Sequence, residues 1–193
     1  MQIYSFSAKG AECDSLGQRP RTGVSSVTTS AESAKLQESE TKDMPQSLSS
    51  ILIHLIFSTK HREPFITPDI ESELQPYMAA IFRALKSPAL AINGTEDHVH
   101  TLFALSRVIT IADLVEEVKT ESSKWIKTKG PEFRNFHWQS GYGAFSISQS
   151  HVPAVKRYIQ SQKQHHRRIS FQDEFRKFLK SYEIEYDERY VWD

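Results

Sequence analysis

Ala89-Leu90-Ala91-Ile92-Asn93-Gly94-Thr95-Glu96-Asp97-His98-Val99-His100-Thr101-Leu102-Phe103-Ala104-Leu105-Ser106 decides the fold. Ala89 to Asn93 and Asp97 to Ser106 read as two strands, and Asn93-Gly94 is a strong tight-turn signal, so the stretch predicts a β-hairpin. Its second arm carries His98 and His100. Side chains alternate along a strand, so these two imidazoles share one face while Val99 packs on the other. Side-by-side imidazoles compete for partners unless something binds both. A neutral pair of this kind suits Mn, Ni, Zn or Fe; hard ions such as Mg prefer oxygen ligands, and an amide oxygen completing the site would extend its range to Mg and Mn.

Outward from the hairpin, the elements on both sides fall into a regular order. On the N-terminal side, Ser49 to Ser58 is an apolar, β-rich run, too continuous for a one-sided surface strand. Thr67 can cap a helix with Asp69 and Glu71 in its first turn, and Ile70, Leu74, Tyr77, Met78, Ile81, Phe82 and Leu85 recur at helical spacing. On the C-terminal side, Thr110 caps a helix whose apolar face holds Ile111, Leu114, Val115, Val118, Trp125 and Ile126, and Gly130-Pro131 stops it. Gly141 to Ser148 reads as a strand. Pro153 opens a third helix expected to run to about His166, and a short amphipathic helix from Phe171 to Tyr182 follows. Strand, helix, strand, strand, helix, strand, helix is a split βαβ pattern. It predicts an α+β, ferredoxin-like fold: an antiparallel sheet with helices on one face and a further helix at the C-terminal end.

Residues 1 to 46 show neither period. They are rich in Ser, Thr, Glu, Lys and Gly, and are expected to form a disordered N-terminal extension. Met44 reads as a natural start, with the first 43 residues arising from an upstream start assignment. Hydrophobic residues make up 38% of the 193, which fits a folded domain with one disordered end. Cys13 is the only cysteine, which excludes a disulfide framework and a thiolate metal site and fits a cytoplasmic location. No apolar run is long enough to span a bilayer as a helix, and no secretion signal is visible.

Charge is balanced overall, 24 Lys and Arg against 24 Asp and Glu, but unevenly distributed. Residues 119 to 168 hold ten basic and two acidic side chains, a net +8, interleaved with Trp125, Phe133, Phe136, Trp138, Tyr142, Phe145 and Tyr158. Cations among aromatics suit single-stranded nucleic acid: phosphates attract the first and unpaired bases stack on the second. Lys60, His61 and Arg62 after the first strand, and Lys124, are candidate DNA contacts. On the third helix Tyr158 and Gln162 are four apart and share a face, with His165 and His166 close to it. A phenol beside a metal-binding amide fits attack on a phosphodiester, the metal polarising the phosphate and the 3′-oxygen leaving.

The chain from about residue 45 onward resembles the small single-tyrosine HUH transposases of insertion sequences (the insertion sequence 200/605 group and the REP-associated tyrosine transposases). The resemblance is carried by Phe57-Ser58-Thr59-Lys60-His61-Arg62, Asp97-His98-Val99-His100-Thr101-Leu102, Ser123-Lys124-Trp125-Ile126, Trp138 to Ser146, Val155 to Gln162 with His165-His166, and Tyr186 to Trp192. It implies one HUH transposase domain over residues 47 to 193, with His98, His100 and Gln162 as ligands of a divalent metal, Mg or Mn. It further implies that Tyr158 attacks single-stranded DNA at an element end, leaving a 5′-phosphotyrosine, and that the protein is a homodimer recognising hairpins. A catalytically inactive or domesticated hairpin-binding copy is the alternative; intact His98, His100, Tyr158 and Gln162 argue against it.

Overall fold

The computed structural model describes residues 47–192. The expected N-terminal extension, residues 1–46, lies outside them. In chain order the elements are β1 (Leu52–Ser58), α1 (Pro68–Ala84), β2 (Ala89–Gly94), β3 (His98–Ala104), α2 (Ile111–Lys127), β4 (Gly143–Ile147), α3 (Val152–Gln160), α4 (Gln162–His165) and α5 (Phe171–Ser181). The strands form one sheet in the order β2-β3-β1-β4, antiparallel at every junction. This is the expected α+β, split βαβ arrangement. Side-chain hydroxyls cap three of the helices: Thr67 accepts from Ile70 N, Thr110 from Asp113 N and Ser170 from Asp173 N.

β1 is buried along its whole length because helices cover both faces of the sheet. Ile53, Leu55 and Phe57 alternate onto one face, where they join Val99 and Phe103 in a core with Ile70, Leu74, Met78 and Phe82 of α1 and Leu114, Val115 and Val118 of α2. The expected single helix layer is this one. Leu52 and Ile56 point the other way. Leu52 packs with Leu102, Ile147 and Ile159 of α3, and Ile56 packs with Phe145 and with Phe171, Phe175 and Leu179 of α5. The C-terminal helices therefore cover the second face, the one on which His98 and His100 lie.

Two local expectations are revised. Asn93-Gly94 does not form the turn; both residues belong to β2, and Thr95 to Asp97 connect the strands. Gly94 is needed for close approach, since a Cβ there would lie 2.1 Å from the His98 carbonyl oxygen. Asn93 instead donates through its side chain to the carbonyls of Ile159 (3.0 Å) and Gln160 (3.1 Å), tying the end of α3 to the sheet. The third helix is also interrupted: Ser161 (φ −95°, ψ 12°) divides it into α3 and α4. The Ser161 backbone N–H and hydroxyl both donate to the Tyr158 carbonyl, a local bonding pattern that competes with regular helix.

Candidate active site

β3 presents His98 and His100 to the face covered by α3, α4 and α5, both essentially without solvent exposure. Their rings are 5.2 Å apart between centroids. His98 is gripped from the connecting turn: its Nδ1 lies 2.7 Å from Asp97 Oδ1 and 2.8 Å from Thr95 Oγ1. A carboxylate on Nδ1 holds the proton there and turns Nε2, with its lone pair, inward. His100 is oriented from the neighbouring strand, its Nδ1 lying 3.0 Å from Nε2 of His54. His54 sits on the same face of β1 and is itself buried. Burial, then the adjacent His100, holds the His54 imidazole well below its usual range, so it stays neutral. Burial likewise lowers His98 to about 4, against the Asp97 hydrogen bond, which raises it.

The C-terminal helices bring the remaining groups. Tyr158 of α3 is part-buried, its ring 6.0 Å from that of His100 and 6.1 Å from that of His54. Gln162, the first residue of α4, is fully buried. Glu174 of α5 is 3% exposed and stands among all of them. The Tyr158 hydroxyl donates to Glu174 Oε1, and the Gln162 amide nitrogen donates to the same oxygen at 3.3 Å. Glu174 Oε2 lies 3.3 Å from His100 Nε2 and 3.2 Å from His166 Nε2. His165 approaches Oε1 at 3.3 Å.

Charge is tightly coupled in this pocket. Burial alone would raise the Glu174 carboxyl, but the closeness of the His100 imidazole, then that of His166 and the Tyr158 hydroxyl, prevails and holds it well below the carboxylate range. Burial, and then the negative charge of Glu174, raises the Tyr158 phenol far above its usual value. Burial opposes the charging of His166, yet Glu174 outweighs it and the imidazole is raised.

Can these residues hold a metal ion? Five buried atoms here have no hydrogen-bond partner among the described residues: His98 Nε2, His100 Nε2, His166 Nε2, Gln162 Oε1 and Glu174 Oε2. Each such atom costs about 1–3 kcal/mol if left unsatisfied. Five together are comparable to the whole stability of a domain, ~5–15 kcal/mol. The near approaches of Glu174 Oε2 to two imidazoles are close in distance without hydrogen-bond alignment. Ligand atoms of His98, His100, His166 and Glu174 all lie within 4.8 Å of one another. The donor set fits a divalent cation.

The expected residues do not all converge. His98, His100, Tyr158 and Gln162 come together within one chain. Arg62 joins them at the rim, lining an open groove of about 770 Å³ with His98, Lys163, His166, Arg167 and Phe171. Lys60, His61 and Arg62 form an exposed turn after β1. His61 (φ 56°) and Arg62 (φ 57°) are left-handed, a conformation costing roughly 1–2 kcal/mol per non-glycine residue. Lys124 lies elsewhere: it is on α2, in the helix layer of the opposite face, exposed and ion-paired with Glu121 at 2.7 Å.

The basic-aromatic block also divides. Phe133, Phe136, Trp138 and Phe145 are core residues rather than stacking platforms. Lys119 donates to the carbonyls of Gln139, Ser140 and Gly141, and Lys129 pairs with Glu73.

Three contributors escape the sequence pattern read above. Glu174 has a signal in hindsight: it is a carboxylate on the apolar stripe of α5, among Phe171, Phe175 and Leu179. His54, a lone imidazole in an apolar strand, has a weaker one. Asp97 adjoins the histidine pair directly.

The family described as "Transposase IS200 like" matches residues 47–162. Among solved structures, a candidate transposase from Deinococcus radiodurans R1 is 21% identical with a TM-score of 0.50, covering 63% of this chain and 97% of that one. That likeness establishes a shared fold. A REP-associated tyrosine transposase solved bound to a REP hairpin is 13% identical with a TM-score of 0.49, covering 65% of this chain and 74% of that one. No curated protein matches the chain. Among the described residues no helix is long and apolar enough to cross a membrane.

Proposed function

The chain belongs to the IS200-like transposase family, and from that premise we propose that it nicks and rejoins single-stranded DNA through a 5′-phosphotyrosine on Tyr158, assisted by a divalent metal. The observation that carries the reading is the junction at Glu174: one oxygen accepts the Tyr158 hydroxyl, and the other faces the unpartnered nitrogens of the histidines. A nucleophile and a metal-binding set thus share one buried pocket, opening onto a groove edged by Arg62, Lys163 and Arg167.

The chemistry follows from the groups in contact. The Tyr158 oxygen attacks phosphorus, the bond to the 3′-oxygen breaks, and a 5′-phosphotyrosine and a free 3′-OH result. The phenol proton leaves by way of the Glu174 carboxylate that the hydroxyl already contacts and ends on the departing 3′-oxygen, and the same transfer runs backwards when a 3′-OH reverses the reaction. Burial and the neighbouring carboxylate keep Tyr158 protonated in the resting protein. Asp97 and His54 fix the two strand histidines, and Gln162 offers an amide oxygen. A bound divalent metal would polarise the phosphate and offset the charge developing on it. No external energy source is required, since the phosphodiester energy is retained in the tyrosine ester.

In this reading the substrate is a single strand carrying a hairpin at an element end, held at the mouth of the site by Lys60, His61 and Arg62, with Lys124 at most a flanking contact. The active species is a homodimer in the cytoplasm, and residues 47–193 constitute the transposase domain. Tyr158 lies beside the histidines of its own chain, and mixing Tyr158→Phe with His98→Ala subunits tests whether the dimer shares its sites: restored activity means that they are shared, an inactive mixture that each site lies within one chain. Incubating the protein with a labelled hairpin oligonucleotide and Mn²⁺ should produce a denaturation-resistant adduct. The adduct should be absent with chelator and with plain duplex; tight hairpin binding without any adduct would instead favour the inactive-copy alternative.

A further inference from the structure

The orientation of the four ligand residues carries information beyond their proximity. His98 commits Nδ1 to Asp97 and Thr95, His100 commits Nδ1 to His54, and His166 commits Nδ1 to the Ile169 carbonyl at 3.0 Å. In each ring it is Nε2 that remains without a partner. Glu174 repeats the pattern: Oε1 is engaged by Tyr158 and Gln162, while Oε2 has no hydrogen bond. Outer contacts that fix one atom of each ligand and leave the other turned to a common centre are how proteins orient metal ligands. The spacing agrees. Atoms bound at ~2.0–2.1 Å around one tetrahedral ion lie about 3.3 Å from each other, and Glu174 Oε2 stands 3.3 Å from His100 Nε2 and 3.2 Å from His166 Nε2.

We infer that Glu174 and His166 are metal ligands alongside His98 and His100, and that this set selects a transition-metal dication over Mg²⁺. Three imidazole nitrogens and one carboxylate oxygen are poor donors for Mg²⁺, which favours oxygen ligands and retains water. They suit Mn²⁺, Co²⁺ or Zn²⁺, in rising order of affinity. Glu174 and His166 both lie beyond residue 162, where the family match ends, so the chain's own C-terminal region completes the site. Glu174 then has two duties, Oε2 on the ion and Oε1 on the nucleophile, which couples metal occupancy to the position of Tyr158. This inference rests on the metal-dependent reading above.

The test is binding by the full chain, stripped with chelator and without DNA, using calorimetry for Mn²⁺ and Mg²⁺ and visible absorption for Co²⁺. Mn²⁺ should bind at least about tenfold more tightly than Mg²⁺, and Co²⁺ should give the intense bands of a low-coordinate site. Glu174→Gln and His166→Ala should each weaken Co²⁺ binding by about tenfold or more and alter those bands. His166 is partly exposed and its loss is not expected to unfold the chain, so it decides the matter should Glu174→Gln misfold. Unchanged Co²⁺ affinity and spectrum in His166→Ala and in any folded Glu174→Gln, or equal affinity for Mg²⁺ and Mn²⁺, would overturn the inference. The two readings fail separately. Metal binding that depends on these residues, with no DNA adduct, would sink the transferase reading alone; an adduct with metal binding indifferent to them would sink this one.

Discussion

The two faces of the sheet use the same strands for different ends. On one, Ile53, Leu55, Phe57, Val99 and Phe103 interlock with α1 and α2 in an apolar core. On the other, two residues from β1 and β3, His54 and His100, replace aliphatic side chains in the middle of the layer, and Tyr158, Gln162 and Glu174 descend on them from the C-terminal helices. The first face stores stability through burial. The second leaves five buried polar atoms without partners among the described residues, an arrangement that a bound ligand would balance. The proposed site occupies the face where packing is least self-sufficient.

That contrast can be broken most severely at His98. His98→Ala should reduce adduct formation on a hairpin oligonucleotide to background while hairpin affinity changes little, because phosphate and base contacts come from other residues. Adduct formation that persists in His98→Ala and in chelator would remove the metal from the account. On the opposite face, Phe82→Ala should cost about 3–5 kcal/mol of folding stability in urea titration. Metal affinity of the protein that remains folded should be unaltered; a large loss would mean the two faces are not separable.

His54 sharpens the comparison, being a strand residue whose hydrogen bond to the site is to His100. His54→Leu should lower metal affinity by roughly 10–100-fold and destabilise by about 1–3 kcal/mol, since His100 Nδ1 loses its partner. Equal metal affinity in the variant would show that His100 needs no such support. Arg62, at the rim, should contribute a phosphate contact. Arg62→Ala should reduce the salt dependence of hairpin binding by about one counterion, whereas Lys124→Ala, ion-paired on the far helix layer, should change it less. The smallest effect is expected from deleting residues 1–43, which should leave melting temperature and adduct formation as they are; loss of either would assign that segment a part in the domain.

Period-two and 3.6 patterns are written directly into residue types, which is why the hairpin, the two histidines and the element order could be read from the chain. Tyr158 and Gln162 were legible for the same reason, being four apart. Other features depend on contacts between distant segments. Asn93-Gly94 carries a turn signature, yet Asn93 is recruited by α3, 66 residues away, and the turn moves to Thr95–Asp97. Ser161, by contrast, breaks the helix through local hydrogen bonds to Arg157 and Tyr158, which an i, i+4 pattern does not register. The aromatics near the basic block resemble stacking platforms by composition, but β1, α1 and α2 enclose Phe136 and Trp138. Glu174 is one of two adjacent acids in an amphipathic helix, and its partners on β3, α3 and α4 become visible only when the chain is folded.

The central claim is that the histidine face of the sheet is the reaction site and Tyr158 its nucleophile. Mass spectrometry of the peptide linked to a hairpin oligonucleotide tests it most directly, with wild type and Tyr158→Phe compared in Mn²⁺. The account predicts a phosphotyrosyl link at Tyr158, lost in Tyr158→Phe, in a variant that folds and binds the hairpin like wild type. A link mapped to Tyr142, Tyr182, Tyr186 or Tyr190, or an undiminished adduct in Tyr158→Phe, would contradict it.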